Sequence, residues 1–240
     1  MIGIIGGNGV AATNKLLDII EEKCTKNGAF RDCHHPEMIA WQATQAPSRS
    51  MYLEGRGESF LEDYIRIGKH LKNCGCDTLC MCCNTAHYFI DELAEKIDIK
   101  FINILEEVAK VVKSLGGQKI GVMCSDGLKK VGIYETYIQH FNPGSEVVFP
   151  TDELQSLVTK GICNAKNMNR YLPVTNAENP SLCFSTVCDW FEAQGCDTII
   201  AGCTDIRKVF FPQMTDKFNY IDSLEILADS IIAKTKKLSI

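Results

Sequence analysis

Several features are missing from this chain, and each absence narrows what it does. No apolar stretch approaches the roughly 20 residues that a bilayer-spanning helix requires, so no membrane role is expected. Basic residues never cluster beyond Lys234, Lys236 and Lys237, which read as a solvated helix end, and the net charge is −5. A nucleic-acid partner needs a concentrated basic surface and is not expected either. Met1 runs directly into apolar residues, with neither a charged leader segment nor a long apolar core behind it. The expectation is a cytosolic protein. Low-complexity segments are absent too. The apolar share of 45% and the charged share of 23% are ordinary for a globular chain of 240 residues, long enough for one large domain or two small ones.

Cysteine, in contrast, is abundant: thirteen residues, an odd number. In a cytosolic setting these are thiols first and disulfide partners second. Five of them fall between Cys74 and Cys83. A structural zinc site offers two knuckles of closely spaced ligands. The second knuckle is missing here, and His34-His35 lies far away in sequence, so no metal is expected. Cys74, Cys76, Cys80 and Cys82 read instead as core packing.

Short apolar runs alternate with amphipathic helical patterns, the signature of an α/β protein with parallel sheets. Strands are expected at Ile2 to Ile5, Met38 to Trp41, Asp77 to Cys82 and Phe101 to Ile104. A second set is expected at Lys119 to Met123, Val147 to Phe149, Thr198 to Ala201 and Asn219 to Ile221. Ala43 to Gly57, with Pro47, Gly55 and Gly57, reads as a polar loop. Ser59 and Glu62 read as a capping box for a helix with Tyr64, Ile67 and Leu71 on its apolar face. Pro173 to Pro180 reads as a surface loop. Gly116-Gly117 is the natural boundary, giving halves at 1–115 and 116–223, with the terminal helix 224–240 packing back on the first half.

The two halves repeat one another. Gly75-Cys76-Asp77-Thr78-Leu79 leads to Cys83, and Gly195-Cys196-Asp197-Thr198-Ile199 leads to Cys203 in the same register. Ile2-Gly3-Ile4-Ile5 matches Ile120-Gly121-Val122-Met123, and Ile102 to Glu106 matches Ile221 to Glu225. Matched segments in one order imply two pseudo-symmetric halves, each a parallel sheet flanked by helices, with an active site in the cleft between them. Cys83 and Cys203 both fall where a strand gives way to the next element, the place where open parallel sheets bind ligands. Singly, each is as readily a buried core thiol. As a matched pair they suit an acid and a base on opposite faces of a small substrate. A helix N-terminus after each would lower the thiol pKa, and free N–H groups near Asn84 and Thr85 would hold a carboxylate.

Gly7-x-Gly9-x-x-Ala12 fits a loose dinucleotide fingerprint, but the second strand ends Trp41-Gln42-Ala43-Thr44 without the acidic residue a ribose needs. A backbone nest for a carboxylate, with Asn8 directed at substrate, fits better. Arg49 is suited to gripping a carboxylate, although a loop arginine is more often exposed, and Lys166 is weighed in the same way. His87, one turn past Cys83, suits either proton transfer or packing.

Cys83-Asn84-Thr85-Ala86-His87 and Gly202-Cys203-Thr204 resemble the paired signature motifs of the aspartate/glutamate racemase superfamily. Gly3-Ile4-Ile5-Gly6-Gly7 and Pro47 to Glu58 are similar to its aspartate racemase branch, and the likeness runs along nearly the whole chain. What the resemblance implies is a cofactor-independent racemase of aspartate or glutamate. In it Cys83 and Cys203 are the two proton-transferring residues. Asn84, Thr85 and Thr204 take the α-carboxylate and α-amino group, and Arg49 and Lys166 take the distal carboxylate. Asn8 occupies the glycine-loop contact position, where methionine is common. The family usually reads Gly-Cys-Thr-Glu, whereas this chain has the shorter Asp205. The resemblance also implies a homodimer and leaves open another amino acid or small carboxylic acid as substrate. A non-catalytic dicarboxylate-binding protein is the reading from a different class.

Overall fold

The computed structural model describes residues 1–207, 210 and 218–235. Among these the chain folds as β1 (Ile2–Gly6), α1 (Val10–Lys26), β2 (Met38–Gln42), α2 (Arg49–Glu54), α3 (Leu61–Asn73), β3 (Thr78–Met81), α4 (Ile90–Ile97), β4 (Lys100–Ile102) and α5 (Ile104–Leu115). The second run is β5 (Lys119–Met123), α6 (Asp126–Val131), α7 (Ile133–Phe141), β6 (Glu146–Val148), α8 (Asp152–Asn164), α9 (Pro180–Ala193), β7 (Thr198–Ala201), β8 (Asn219–Asp222) and α10 (Ser223–Thr235). The strands form two four-stranded parallel sheets of identical order, β2-β1-β3-β4 and β6-β5-β7-β8. Central pairing repeats as well: Ile2 lies opposite Thr78, and Ile120 opposite Thr198. Lys236 and Lys237, and with them the expected helix span 236–240, lie outside the described residues.

The repeated Gly-Cys-Asp-Thr motif now has a structural cause in each half. Gly75 and Gly195 turn the chain out of α3 and α9 at φ 95° and 75°, left-handed values that favour glycine. Cys76 and Cys196 pack into the apolar core. Asp77 accepts from the Met1 ammonium at 2.9 Å, and Asp197 accepts from the Gln118 and Lys119 N–H groups at 2.9 and 3.1 Å. Each aspartate therefore ties the start of its central strand to its neighbour. Thr78 and Thr198 donate to those aspartates at 3.0 and 2.6 Å. Gly3 and Gly121 sit at matching positions, where a Cβ would come within 2.5 Å of Leu79 and 2.7 Å of Phe191.

The largest apolar cluster is shared between the halves. It joins Ile2 and Ile4 of β1 to Ile120 and Val122 of β5 through the buried faces of α5 and α10. α5 lies against α7, and α10 lies against α1 and α5, with Lys23 pairing to Asp229 at 2.7 Å. Each half thus gives a helix to the interface with the other, which leaves the carboxyl ends of both sheets facing one cleft. No described helix is long and apolar enough to cross a membrane.

Three local expectations need correction. Ala43 to Gly57 is not loop throughout: Arg49–Glu54 is helical. The residues read as helix breakers in fact bound a helix. Ser48 caps its start by accepting from the Met51 N–H at 3.4 Å, Gly55 ends it at φ 82°, and Leu53 is buried. The reciprocal capping box at Ser59 does not form. Ser59 accepts only from the Leu61 N–H at 3.2 Å, because the buried ring of Phe60 takes the capping position. Cys74 is exposed, unlike Cys76, Cys80 and Cys82, because it stands at the end of α3 and turns outward.

Candidate active site

Beyond the strand ends lies a cavity of about 330 Å³ between the halves. It is lined from the first half by Asn8, Arg49, Cys83, Asn84 and Thr85, and from the second by Lys166, Cys203, Thr204 and Asp205. The cavity therefore brings together every residue singled out from the sequence except His87. Arg49 is there because α2 is a helix. Ser50 of α2 accepts from the Gly127 N–H at 3.0 Å, and a Cβ on Gly127 would meet the Ser50 carbonyl oxygen at 2.6 Å. That close docking of α2 on α6 bridges the halves over the cavity.

The loops carrying the two cysteines are bonded directly to each other. Thr204 donates from Oγ1 to the Cys82 carbonyl at 3.1 Å. In the opposite sense, Tyr134 donates to Asn84 Oδ1 at 2.7 Å while its ring lies beneath Gly202, where a Cβ would come within 2.6 Å. Asn84 Nδ2 donates to Ser223 at 2.9 Å, and Thr85 shares a 3.0 Å hydroxyl contact with Ser125. Asn84 therefore keeps one donor and one lone pair for a ligand. Sequence reasoning missed Tyr134, because an aromatic on a helical apolar face gives no sign of a polar role.

His87 is buried and faces away from the cavity. Its Nδ1 lies 2.9 Å from the Cys83 carbonyl and its Nε2 accepts the Ile104 N–H at 3.2 Å. Burial lowers its pKa to about 4. The neutral ring clamps the Cys83 backbone to the start of α5.

The expectation of dipole-activated thiols is also revised. Cys83 precedes a short 3₁₀ helix, Asn84–Phe89, with the α-helix beginning only at Ile90. Cys203 is followed by a turn among the described residues. Burial, reinforced by Asp205, pushes the Cys203 thiol up to about 12, with Lys166 opposing. The Asp205 carboxylate lies 4.0 Å from Cys203 Sγ and 3.0 Å from Lys166 Nζ. Burial works against the charge on Lys166, but Asp205 and Cys203 outweigh it and hold the ammonium above its usual value. On the opposite wall, burial likewise opposes the Arg49 guanidinium, while Cys83 and Tyr64 outweigh it and raise its pKa. Arg49 donates to the carbonyls of Pro47 at 2.9 Å, Asn8 at 3.2 Å and Ala46 at 3.4 Å, it also faces the Cys83 sulfur, and its buried Nε has no partner among the described residues.

The glycine turn is less open than a free nest. The Gly7 N–H is taken by Thr13 Oγ1 at 2.9 Å. Asn8 Nδ2 donates to Tyr64 at 2.8 Å, leaving its buried Oδ1 without a donor among the described residues.

Twin parallel sheets facing each other, with a cysteine from each at one cavity, define a pseudo-symmetric α/β enzyme of the racemase type. Residues 2–231 match the profile of the Asp/Glu/Hydantoin racemase family, and the chain belongs to that family. Along 236 residues it is 24% identical to the broad specificity amino-acid racemase RacX of Bacillus subtilis (strain 168), covering 97% of each chain. The fold is similar to the solved structure of Picrophilus torridus aspartate racemase, with a TM-score of 0.83 and 25% identity over 100% of this chain and 95% of that one. It is also similar to an aspartate racemase homologue from Pyrococcus horikoshii OT3, with a TM-score of 0.75 and 21% identity over 98% and 99% of the two chains.

Proposed function

We propose that this enzyme racemises aspartate, glutamate or both without a cofactor, through 1,1-proton transfer between two cysteines. One sulfur, as thiolate, takes the α-proton, and the electron pair of that C–H bond stays on the substrate as a carbanion. The opposite sulfur, as thiol, gives its proton to the other face and becomes the thiolate. The reverse reaction exchanges the roles. The single observation that carries this reading is that Cys83 and Cys203, one from each half, line one cavity of amino-acid size.

Charged groups stand close to both sulfurs. The raised pKa of Cys203 keeps it a thiol at neutral pH, ready to donate. The Arg49 guanidinium across from it faces Cys83 and supplies the positive charge a thiolate there requires. An α-proton is too weakly acidic for a thiolate in water. The carbanion must be stabilised by preorganised donors in a site that excludes water. Asn84, Thr85 and Thr204 are the neutral groups suited to that task, while Arg49 and Lys166 are suited to a distal carboxylate. Two opposed groups let inversion proceed without the substrate turning over in the site. All thirteen cysteines are free thiols, which supports placing the enzyme in a reducing compartment such as the cytosol.

A second reading, a racemase of wider amino-acid range, is favoured by one contact. Lys166 is already paired with Asp205 at 3.0 Å, so the site has less free positive charge than a dedicated dicarboxylate pocket. Incubation in D₂O with both enantiomers of aspartate, glutamate and a panel of other amino acids tests both. Deuterium at the α-carbon together with inversion is expected for the wild type, and Cys83→Ala and Cys203→Ala are each expected to abolish inversion. A variant that inverts substrate at the wild-type rate would refute the two-cysteine mechanism. Turnover confined to non-acidic amino acids would refute the substrate assignment, and binding without exchange would indicate a sensor.

A further inference from the structure

The charges lining the cavity do not all have partners. Lys166 is paired with Asp205, and Arg56 with Glu54. Two have no ion-pair partner among the described residues: Arg49, bonded to carbonyls and beside the Cys83 sulfur, and Asp126 at the start of α6. Asp126 is half-buried and accepts at a single oxygen, Oδ1, from Gln155 at 2.8 Å and Thr159 at 2.7 Å. Both donors are neutral, and Oδ2 takes neither a hydrogen bond nor an ion pair among the described residues. A half-buried carboxylate that lines a cavity, with one oxygen free of partners among the described residues, is placed to accept from a cationic group of a ligand.

The repeat sharpens the point. The register that matches Ile2 to Ile5 with Ile120 to Met123 also places Asn8 on Asp126, with Gly9 and Gly127 following. These twin turn positions both line the cavity. At the first the oxygen is neutral, and its buried Oδ1 lacks a donor. At the second it carries a full negative charge. Arg49 belongs to the first half and bonds the Asn8 carbonyl at 3.2 Å, so the unpaired cation and the unpaired anion come from opposite halves. A zwitterion has the complementary charges.

We propose that Asp126 reads the α-ammonium group of the substrate and thereby selects α-amino acids over hydroxy acids and plain dicarboxylates. The inference rests on the proposed racemase reading and names the residue that makes an amino group necessary. Asp126 is a specificity-determining residue, since neither half-reaction requires it to exchange a proton.

Equilibrium binding of L-aspartate and succinate, measured by calorimetry on the wild type and on Asp126→Asn, tests the assignment. Asparagine keeps the shape and an oxygen for Gln155 and Thr159, so only the charge is lost. A charge-assisted hydrogen bond in a sheltered site is worth roughly ten- to a hundred-fold in affinity. The variant is expected to weaken L-aspartate by that factor and leave succinate within about two-fold. Equal weakening of both ligands, or no change in either, overturns the proposal. If the variant proves unstable, the wild type alone decides: L-malate, with a hydroxyl in place of the ammonium, must bind at least about ten-fold more weakly than L-aspartate. Failure of the wild type to racemise any amino acid would count against the catalytic reading and leave this comparison of affinities standing.

Discussion

Acidification should loosen the enzyme at one identifiable place, His87. The ring is buried, donates to the Cys83 carbonyl at 2.9 Å and accepts from Ile104 at 3.2 Å. Only the neutral ring can do both, because a proton on Nε2 removes the acceptor and leaves a buried cation. Burial lowers its pKa from 6.5 to about 4. The unfolded chain therefore takes up this proton before the folded one does. The stabilisation is fully present above pH 6.5, declines as pH falls through the interval down to about 4, and is absent below it. That interval is worth about 3 kcal/mol. The assay is urea unfolding at pH 7.5, 5.5 and 4 for the wild type and for His87→Gln, which does not titrate. Other groups contribute acid lability to both proteins, so the difference in slope isolates the histidine. The wild type should lose about 3 kcal/mol more than the variant between pH 7.5 and 4. Identical pH dependence would show that His87 is not held neutral by burial. The same pair separates clamp from catalyst. If His87 only positions Cys83, the variant keeps the acid limb of kcat/KM where the wild type has it. Loss of a limb near pH 4 would make the ring a proton carrier.

Tyr134→Phe keeps the ring beneath Gly202 but removes the donor to Asn84 Oδ1; it should cost about 1–3 kcal/mol in urea unfolding and lower kcat more than it raises KM, and unchanged stability would refute the bridging role. Asp205→Asn removes a charge that raises the Cys203 pKa and leaves Lys166, which lowers it, unopposed. Cys203 should then be alkylated by iodoacetamide faster at pH 8, as read by mass mapping of the modified peptide, and no acceleration would mean that Asp205 does not govern this thiol.

The parts of the fold legible in the sequence were those fixed by local steric or hydrogen-bonding needs. Gly75 and Gly195 stand where the backbone is left-handed, and Asp77 and Asp197 where a strand start needs an acceptor, so the repeat was written in residue types with few substitutes. The eight strands, read from short apolar runs, fall within a residue or two of their expected bounds. The helix at Arg49–Glu54 was not legible, because six residues give no periodicity and Ser48 and Gly55 serve loops as readily as caps. In the site, the two cysteines stood out because they recur. Tyr134 did not, since its hydroxyl acquires a role only when the halves meet. Asp126 was within reach: carrying the register three residues past Met123 sets it on Asn8. The raised pKa of Cys203 lay beyond sequence reasoning, since it depends on burial and on an Asp205–Lys166 pair closed by folding.

The places where the two halves differ carry as much information as those where they agree. Inversion at a carbon is symmetric in its demands: a proton leaves one face and another arrives at the opposite face. In the proposed mechanism, twin sheets that each deliver a cysteine meet that demand, and the repeated positions are the strand glycines, the strand-tying aspartates and the sulfurs. The substrate itself is not symmetric, because its carbon bears an ammonium on one bond and a carboxylate on another. A perfectly duplicated cleft would offer both groups the same surroundings and would not orient them. The divergent pairs lie where orientation must be set: neutral Asn8 against charged Asp126, Asn84 against Thr204, and Thr85 against Asp205, each pair lining the cavity. Asp126 and Asp205 both belong to the second half, and the unpaired Arg49 to the first. Under the proposed two-cysteine mechanism, the duplicated framework would set where protons move, while the unmatched residues would set which way the molecule lies between the sulfurs. Charge-neutral changes at the divergent positions should therefore alter affinity and selectivity before they alter the balance between the two directions of inversion.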